Sequence, residues 1–317
     1  MPDFPFPEGY VLPVDKPLGW TSSDVVRKMR VLLRRLGHRK IKVGHAGTLD
    51  PLATGVLIVC IGRATKRVDE LQAEEKEYLT TVRLGATTPS YDLEHPVDQT
   101  YPYGHVTEKS ILAALQEMEG EQLQEPPVYS AKMIEGRRAY EYAREGEEVR
   151  MRRALVNIYE IAPERIDLPD VTLRVRCSKG TYIRVLADDI GRKLGCFAHL
   201  ESLRRTEVGD LKIADAIPFA VIDDKEKTVQ ERRALLKGAD FLLQTLGSVR
   251  LDAVQTERLR NGQRLPLKDT RHGELLRAYG SSGELLGTVK VDARGTLHPH
   301  RLIRFVVTEN LETNGDE

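Results

Sequence analysis

A twelve-residue stretch, Gly44-His45-Ala46-Gly47-Thr48-Leu49-Asp50-Pro51-Leu52-Ala53-Thr54-Gly55, constrains this chain more than any other. Its three glycines permit tight turns and close approach by another molecule. Asp50 precedes a proline, which drives it out of helical geometry into an extended one. Pro51 suits the first position of a helix. The apolar run Val56-Leu57-Ile58-Val59-Cys60-Ile61 supplies burial behind it. A carboxylate is therefore expected at the mouth of a glycine-lined loop, on a stiff support. Two readings of Asp50 stand. It is an N-cap that accepts backbone hydrogen bonds, or it is a working acid framed by His45 and the glycines.

At 317 residues the chain has room for one large domain or two ordinary ones. Hydrophobic residues make up 40%, enough for a buried core. The net charge of zero argues against a polyelectrolyte tail, yet basic residues can still cluster on one face. Cys60, Cys177 and Cys196 lie in or beside apolar segments, as reduced thiols of a cytoplasmic protein do. No apolar run is long enough to span a bilayer. Met1-Pro2-Asp3-Phe4-Pro5 lacks the basic start and apolar stretch of a signal peptide. Cys196 and His199 form a C-x-x-H with no second pair, so structural zinc is not expected. Walker and dinucleotide glycine signatures are missing. Chemistry here is expected to use side chains alone, without metal or cofactor.

Along the chain, Tyr10 to Val14 reads as a strand, and Thr21-Ser22-Ser23-Asp24 as a capping box that opens a helix. Val25, Met29, Leu32 and Leu36 form its apolar face. Arg27, Lys28, Arg30, Arg34, Arg35, Arg39, Lys40 and Lys42 make a basic stripe that no acid interrupts. The stripe is either a solvated helix face or a phosphate-binding surface. Glu77 to Leu84 alternates as a strand that puts Tyr78 on its inner face, where it can be simple core. Thr107 to Met118 is amphipathic and helical. Glu125 to Lys132 is an extended loop that leads into a helix over Arg137 to Glu145, where arginines mix with tyrosines. Val171 to Cys177 is a strand, Ser178-Lys179-Gly180 a break, and a helix follows with Ile183, Leu186, Ile190 and Leu194 on its buried face. Tyr182 and Arg184 stand at that junction, off the apolar stripe. Arg184 is either a surface charge or an inward cation that needs an anion, and Asp50 is the natural candidate. His199 to Thr206 closes this section, and a helical stretch spans about Thr228 to Thr245. After Gly247 a helix over Asp252 to Arg260 and strands near Leu275 to Tyr279, Glu284 to Val291 and Arg301 to Val307 make a small, mostly β appendage. Residues from Glu309 are polar and expected to fray.

Together these segments resemble the bacterial tRNA pseudouridine synthases of the TruB type. The resemblance runs through Asp15-Lys16-Pro17 with Gly19-Trp20-Thr21-Ser22, Gly44 through Gly55, Gly62-Arg63-Ala64-Thr65-Lys66 and Lys76-Glu77-Tyr78. It continues through Pro126-Pro127 with Tyr129-Ser130-Ala131, Gly180-Thr181-Tyr182-Ile183-Arg184, Asp189-Ile190-Gly191 and Leu203-Arg204-Arg205. It implies an α+β (mixed α/β) pseudouridine-synthase fold with a central, largely antiparallel sheet. Residues 1–247 would form the catalytic domain. Residues 248–317 would form a small, mostly β, PUA-like RNA-binding domain with a polar tail. The resemblance implies Asp50 as the catalytic aspartate and Tyr78 as the ring stacked on the target base. It pairs Arg184 with Asp50, lines the pocket with Tyr182 and Leu203, and gives His45 a part in flipping nucleotides. The implied partner is the T-arm stem-loop of tRNA, met by a stand-alone monomer in the cytoplasm without guide RNA or membrane. Two positions depart from the family pattern. Met133 stands where a lysine is usual, with Lys132 one place earlier, and His95 stands where glycine is common.

Turning uridine into pseudouridine breaks a C–N glycosidic bond and makes a C–C bond between the same partners. Nothing is added overall and no electrons leave, which matches the missing cofactor signatures. The base must leave its stack, at roughly a few kcal/mol, and a ring such as Tyr78 returns about 1–3 kcal/mol by stacking. Tyr78 or a water then serves to take the C5 proton. The rival reading is a tRNA-binding and tRNA-folding chaperone without chemistry. The set Asp50, Tyr78 and Arg184 separates the two, since a binder has no need of it.

Overall fold

The computed structural model describes residues 9–303 apart from 73, 131, 148, 245 and 268–270. The N-terminal pentapeptide, the polar end from Glu309 and the last part of the strand expected to reach Val307 lie outside the described residues. Strand β1 spans Tyr10–Lys16, and helix α1 spans Ser22–Arg35. Thr21 and Asp24 form the expected capping box: each backbone N–H donates to the other's side chain at 3.0 Å. Val25, Met29 and Leu32 are buried, joined by Val26 and Leu33. The basic face of α1 is partly engaged within the protein. Lys28 pairs with Asp223, and Arg30 donates to the Val43 carbonyl at 2.9 Å.

Strands β2, Val43–Ala46, and β3, Ala53–Ile61, pair antiparallel around the Asp50 loop. No helix follows Pro51. The Ala53 N–H bonds the Asp50 carbonyl at 3.1 Å, closing a turn that feeds straight into β3. The Pro51 carbonyl, which a helix would use internally, accepts from the Gly19 N–H at 2.9 Å and the Lys16 ammonium at 3.3 Å. Val56 through Ile61 are all buried, as befits a strand covered on both faces. Strand β4, Lys76–Leu84, alternates as expected, with Tyr78, Thr80, Val82 and Leu84 buried.

Helix α2, Glu108–Gln116, strand β5, Gly120–Gln124, strand β6, Ala154–Asp167, and strand β7, Asp170–Cys177, come next. Helix α3, Ile183–Lys193, strand β8, Ala198–Val208, and the short β9, Ile217–Pro218, complete the large sheet's main path. Its order is β9-β1-β3-β8-β4-β7-β6-β5, with β2 attached to β3. β8 runs parallel to β3 and antiparallel to β4, and the ladders from β4 to β5 are antiparallel, so the sheet is mixed and largely antiparallel. β6 and β8 carry no clean alternation in the sequence, and their ladders contain register shifts. Gly55 is dictated by this packing: its φ is +101°, and a Cβ there would lie 2.1 Å from the Arg205 carbonyl oxygen on β8.

Three further stretches differ from the sequence expectation, and in one the last strand runs over Thr296–Leu302 where 301–307 was expected. The helix near Arg137 is shorter, Ala139–Glu145, because Arg137–Arg138 forms a hairpin strand with Met133–Ile134. The stretch near Thr228 is a short helix, Val229–Ala234, followed by a strand segment, Lys237–Gly238, and a 3-10 turn, Ala239–Leu243.

The described residues group into two compact units. One takes in 12–61 and 65–235; the other takes in 9–11, 62–64 and 236–303. The second unit contains β10, Ser248–Arg250, α4, Ala253–Arg260, β11, Leu265–Pro266, β12, Leu275–Tyr279, β13, Leu285–Val291, and β14, Thr296–Leu302. Its five-stranded sheet has the order β10-β12-β13-β14-β11. Leu251, Leu259, Leu276, Val289 and Leu297 anchor its own core. No helix among the described residues is long and apolar enough to cross a membrane.

Candidate active site

Asp50 sits in the loop between β2 and β3, and that loop is tied down from several sides. The Ser22 hydroxyl accepts from the Leu49 N–H at 2.9 Å and donates to the Leu49 carbonyl at 3.0 Å. The Lys16 ammonium is fully buried under it and donates to the carbonyls of Pro17 (3.1 Å), Trp20 (2.5 Å) and Pro51 (3.3 Å). Burial pulls the Lys16 pKa down to about 8, with Asp50 raising it and Arg205 lowering it. From β8, buried Arg205 donates Nε to the Val56 carbonyl (2.7 Å) and Nη2 to the Gly47 carbonyl (2.9 Å). One guanidinium thus bridges both ends of the loop. Its neighbour Arg204 forks onto Asp15 at 3.2 and 2.7 Å and reaches the Thr54 hydroxyl at 3.2 Å.

Arg184, on the first turn of α3, points inward. Its side chain is 3% exposed, and its Nε lies 2.9 Å from Asp50 Oδ2 and 3.6 Å from Asp92 Oδ2. Nη1 donates to the Ser90 carbonyl and Nη2 to the Tyr129 carbonyl, each at 3.0 Å. The Nε–H is not aimed well enough at either carboxylate to count as a hydrogen bond, so the contact with Asp50 is an ion pair by distance. The Asp50 side chain stays 35% exposed. It is therefore gripped from one side and open on another. In front of it a small cavity is lined by Leu52, Asp92, Leu93, Leu200 and Leu203.

Tyr78 is buried on β4, opposite Val175 on β7 and Arg205 on β8. Burial raises its phenol pKa, and the Arg205 cation pulls the other way. Tyr182 precedes α3 as its N-cap, and its N–H and carbonyl are both held by the Gln124 amide, at 2.7 and 3.1 Å. Burial raises its pKa too, and the Asp50 charge adds to the rise. Leu203 on β8 lies beside Ala53 on β3 and Thr80 on β4. His45 faces elsewhere. It lines a separate groove of about 620 Å³ with Arg30, Lys42 and Thr65. Burial lowers its pKa, helped by Arg205 and Arg138, so the ring is neutral near pH 7.

The fold brings Asp50, Arg184 and Leu203 to one place, with Tyr78 and Tyr182 close enough to feel the Asp50 charge. Asp92 is the residue that sequence reasoning did not single out. It is buried beside Arg184, and its Oδ1 accepts from the Ser90 hydroxyl (2.6 Å) and the Glu94 N–H (3.0 Å). Its signal was an acid inside a Thr/Ser-rich turn. Met133 is exposed, and Lys132 reaches the Arg152 carbonyl at 3.3 Å. No group of three or more potential metal ligands is assembled among the described residues. The arrangement offers a carboxylate oriented by Arg184 and partly open beside a small, mostly apolar cavity, with two buried phenol rings near enough to feel its charge.

Residues 34–183 match the TruB family pseudouridylate synthase N-terminal domain. Residues 184–244 match the tRNA pseudouridylate synthase B C-terminal domain, and 247–303 match the pseudouridine synthase II TruB C-terminal domain. The tRNA pseudouridine synthase B of Phocaeicola vulgatus is 54% identical over 213 residues, covering 67% of this chain and 91% of that protein. The protein of the same name from Burkholderia lata is 44% identical over 299 residues, covering 92% and 89%. A solved chain from a Cbf5-Nop10-Gar1 complex superposes with a TM-score of 0.65 at 25% identity, covering 96% of this chain and 90% of that one.

Proposed function

The chain belongs to the TruB family of pseudouridylate synthases, and from that premise we propose that it converts uridine 55 in the T arm of tRNA to pseudouridine, with Asp50 as the catalytic carboxylate. At the coarser level it is a tRNA pseudouridine synthase, isomerising uridine in tRNA. The observation that carries the role of Asp50 is the Asp50–Arg184 pair: a carboxylate held at 2.9 Å by a buried guanidinium yet one-third exposed beside a small, mostly apolar cavity. Here Oδ2 faces Arg184, and about a third of the side chain stays exposed to meet the nucleotide.

The target base leaves its stack and enters between Tyr78, Tyr182 and Leu203. Tyr78, its phenol protonated because burial raises its pKa, offers a flat face worth about 1–3 kcal/mol in stacking. Asp50 acts on the ribose or the base while the N1–C1′ bond breaks. The detached ring turns within the pocket, C5 bonds to C1′, the C5 proton departs, and N1 takes up a proton. Atoms balance with no second substrate. His45, neutral and on a separate groove beside Arg30 and Lys42, serves the nucleotides displaced as the loop opens. Residues 1–247 carry this chemistry, and 248–317 add RNA contact as a PUA-like domain.

The test uses purified protein and an unmodified T-arm stem-loop, followed by mapping of pseudouridine at nucleotide resolution. Product at the expected uridine supports the reading. Product at another uridine overturns the position, and no product leaves only tRNA binding and folding. An Asp50→Asn protein that still turns over would remove Asp50 from the chemistry.

A further inference from the structure

The Arg184 guanidinium takes its hydrogen-bond acceptors from two surface loops far apart in sequence. One is the Thr88–His95 turn, through the Ser90 carbonyl; the other is the 125–132 loop, through the Tyr129 carbonyl. The first loop also brings Asp92 to Arg184, and Asp92 is fixed within it by Ser90, Thr88 and the Glu94 N–H. Arg184 reaches Asp50 in the right orientation only while both loops keep their places. Among the described residues no sheet ladder joins their backbones. A side-chain contact joins them: the His95 ring lies on Tyr129, centroids 4.5 Å apart and planes tilted by 50°. That spacing is within the range where aromatic pairs attract beyond simple burial. His95 Nδ1 is buried without a hydrogen-bond partner, so the ring gains little there from its polar edge and is held by packing.

We propose that His95 is a positioning residue, a ring clip that holds the Asp92-bearing turn against the Tyr129 loop and so aligns Arg184 on Asp50. The contact acts through Arg184 and needs no touch with RNA. The proposal rests on the function stated above, because the quantity it changes is the rate of uridine isomerisation.

The experiment compares wild type, His95→Ala and His95→Phe in single-turnover reactions at saturating protein on an unmodified tRNA transcript, with the RNA dissociation constant measured in parallel. His95→Ala is expected to lower the rate roughly two- to tenfold, the span that coupling within one aromatic pair allows. RNA affinity should stay within twofold. His95→Phe keeps the ring, loses the orphaned nitrogen, and should restore the rate with a melting temperature at or above wild type. A Tyr129→Leu change should slow the reaction, and adding His95→Ala to it should cost little more. Three results overturn the clip: a wild-type rate in His95→Ala, an equal loss in His95→Phe, or a loss of RNA affinity that accounts for the slower reaction. Wild-type protein that makes no pseudouridine would instead refute the functional reading itself.

Discussion

Replacing Arg184 with lysine keeps a positive charge and removes the planar fork. The guanidinium serves four partners at once: the Ser90 and Tyr129 carbonyls at 3.0 Å each, Asp50 at 2.9 Å and Asp92 at 3.6 Å. A single ammonium on a similar stem cannot meet two carbonyls on opposite loops while facing Asp50. At least one buried acceptor then loses its donor, at about 1–3 kcal/mol. With a weakened hold on buried Asp92 the total loss of stability comes to roughly 2–4 kcal/mol. The kinetic cost is separate. Each ~1.4 kcal/mol of orienting energy lost from the Arg184–Asp50 ion pair slows the reaction about tenfold, so a clear drop in rate is expected if that contact orients Asp50 in the transition state. Forming pseudouridine expels the C5 hydrogen, so RNA tritiated at C5 releases label to water in step with the chemistry. Single-turnover tritium release measures the rate, and urea denaturation measures the stability. A variant within twofold of wild type in rate, with an unchanged denaturation midpoint, would refute the claim that the fork is what holds the acid.

Other outcomes follow from the same geometry. Asp50→Asn should abolish detectable tritium release while RNA still binds with near-normal affinity, as read by filter binding; the carboxamide keeps the shape of the carboxylate but not the charge that faces Arg184. Lys16 titrates near pH 8 when folded and near 10.5 when unfolded, so between those values the unfolded chain binds more protons and stability rises with pH. Lys16→Met lacks this linkage, and the wild-type stability should gain on it by up to about 3 kcal/mol from pH 7.5 to pH 10.5, measured by denaturant melts. A constant difference across that range would show that the ammonium is not desolvated. Gly55→Ala should cost about 3 kcal/mol or more, since its Cβ would press on the Arg205 carbonyl at a φ that disfavours side chains; a melting temperature within a degree or two of wild type would contradict the packing of β8 on β3.

Residues whose structure is set by near neighbours were legible in the chain itself. The Thr21–Asp24 box opens α1 because both partners lie within one turn. β4 shows its inner face because alternation is a local property, and the second unit's helix and first two long strands lie close to where turns and periodicity put them. Asp50, Tyr78, Tyr182, Arg184 and Leu203 could be named as a set through resemblance, and Asp50 with Arg184 through the plain need of a buried cation for an anion. Pro51, by contrast, reads locally as a helix start, and the tertiary structure made it a turn. Its carbonyl is claimed by Gly19 and by Lys16, the latter 35 positions away. β8 escaped notice because His199 and Arg205 look like surface residues, yet both are buried at the sheet's centre, where carbonyls from distant segments receive them. Asp92 gained its place beside Arg184 in the same way. Short-range patterns record what each segment prefers alone; which charges end up enclosed, and what they hold, is decided only when segments a hundred residues apart supply the partners.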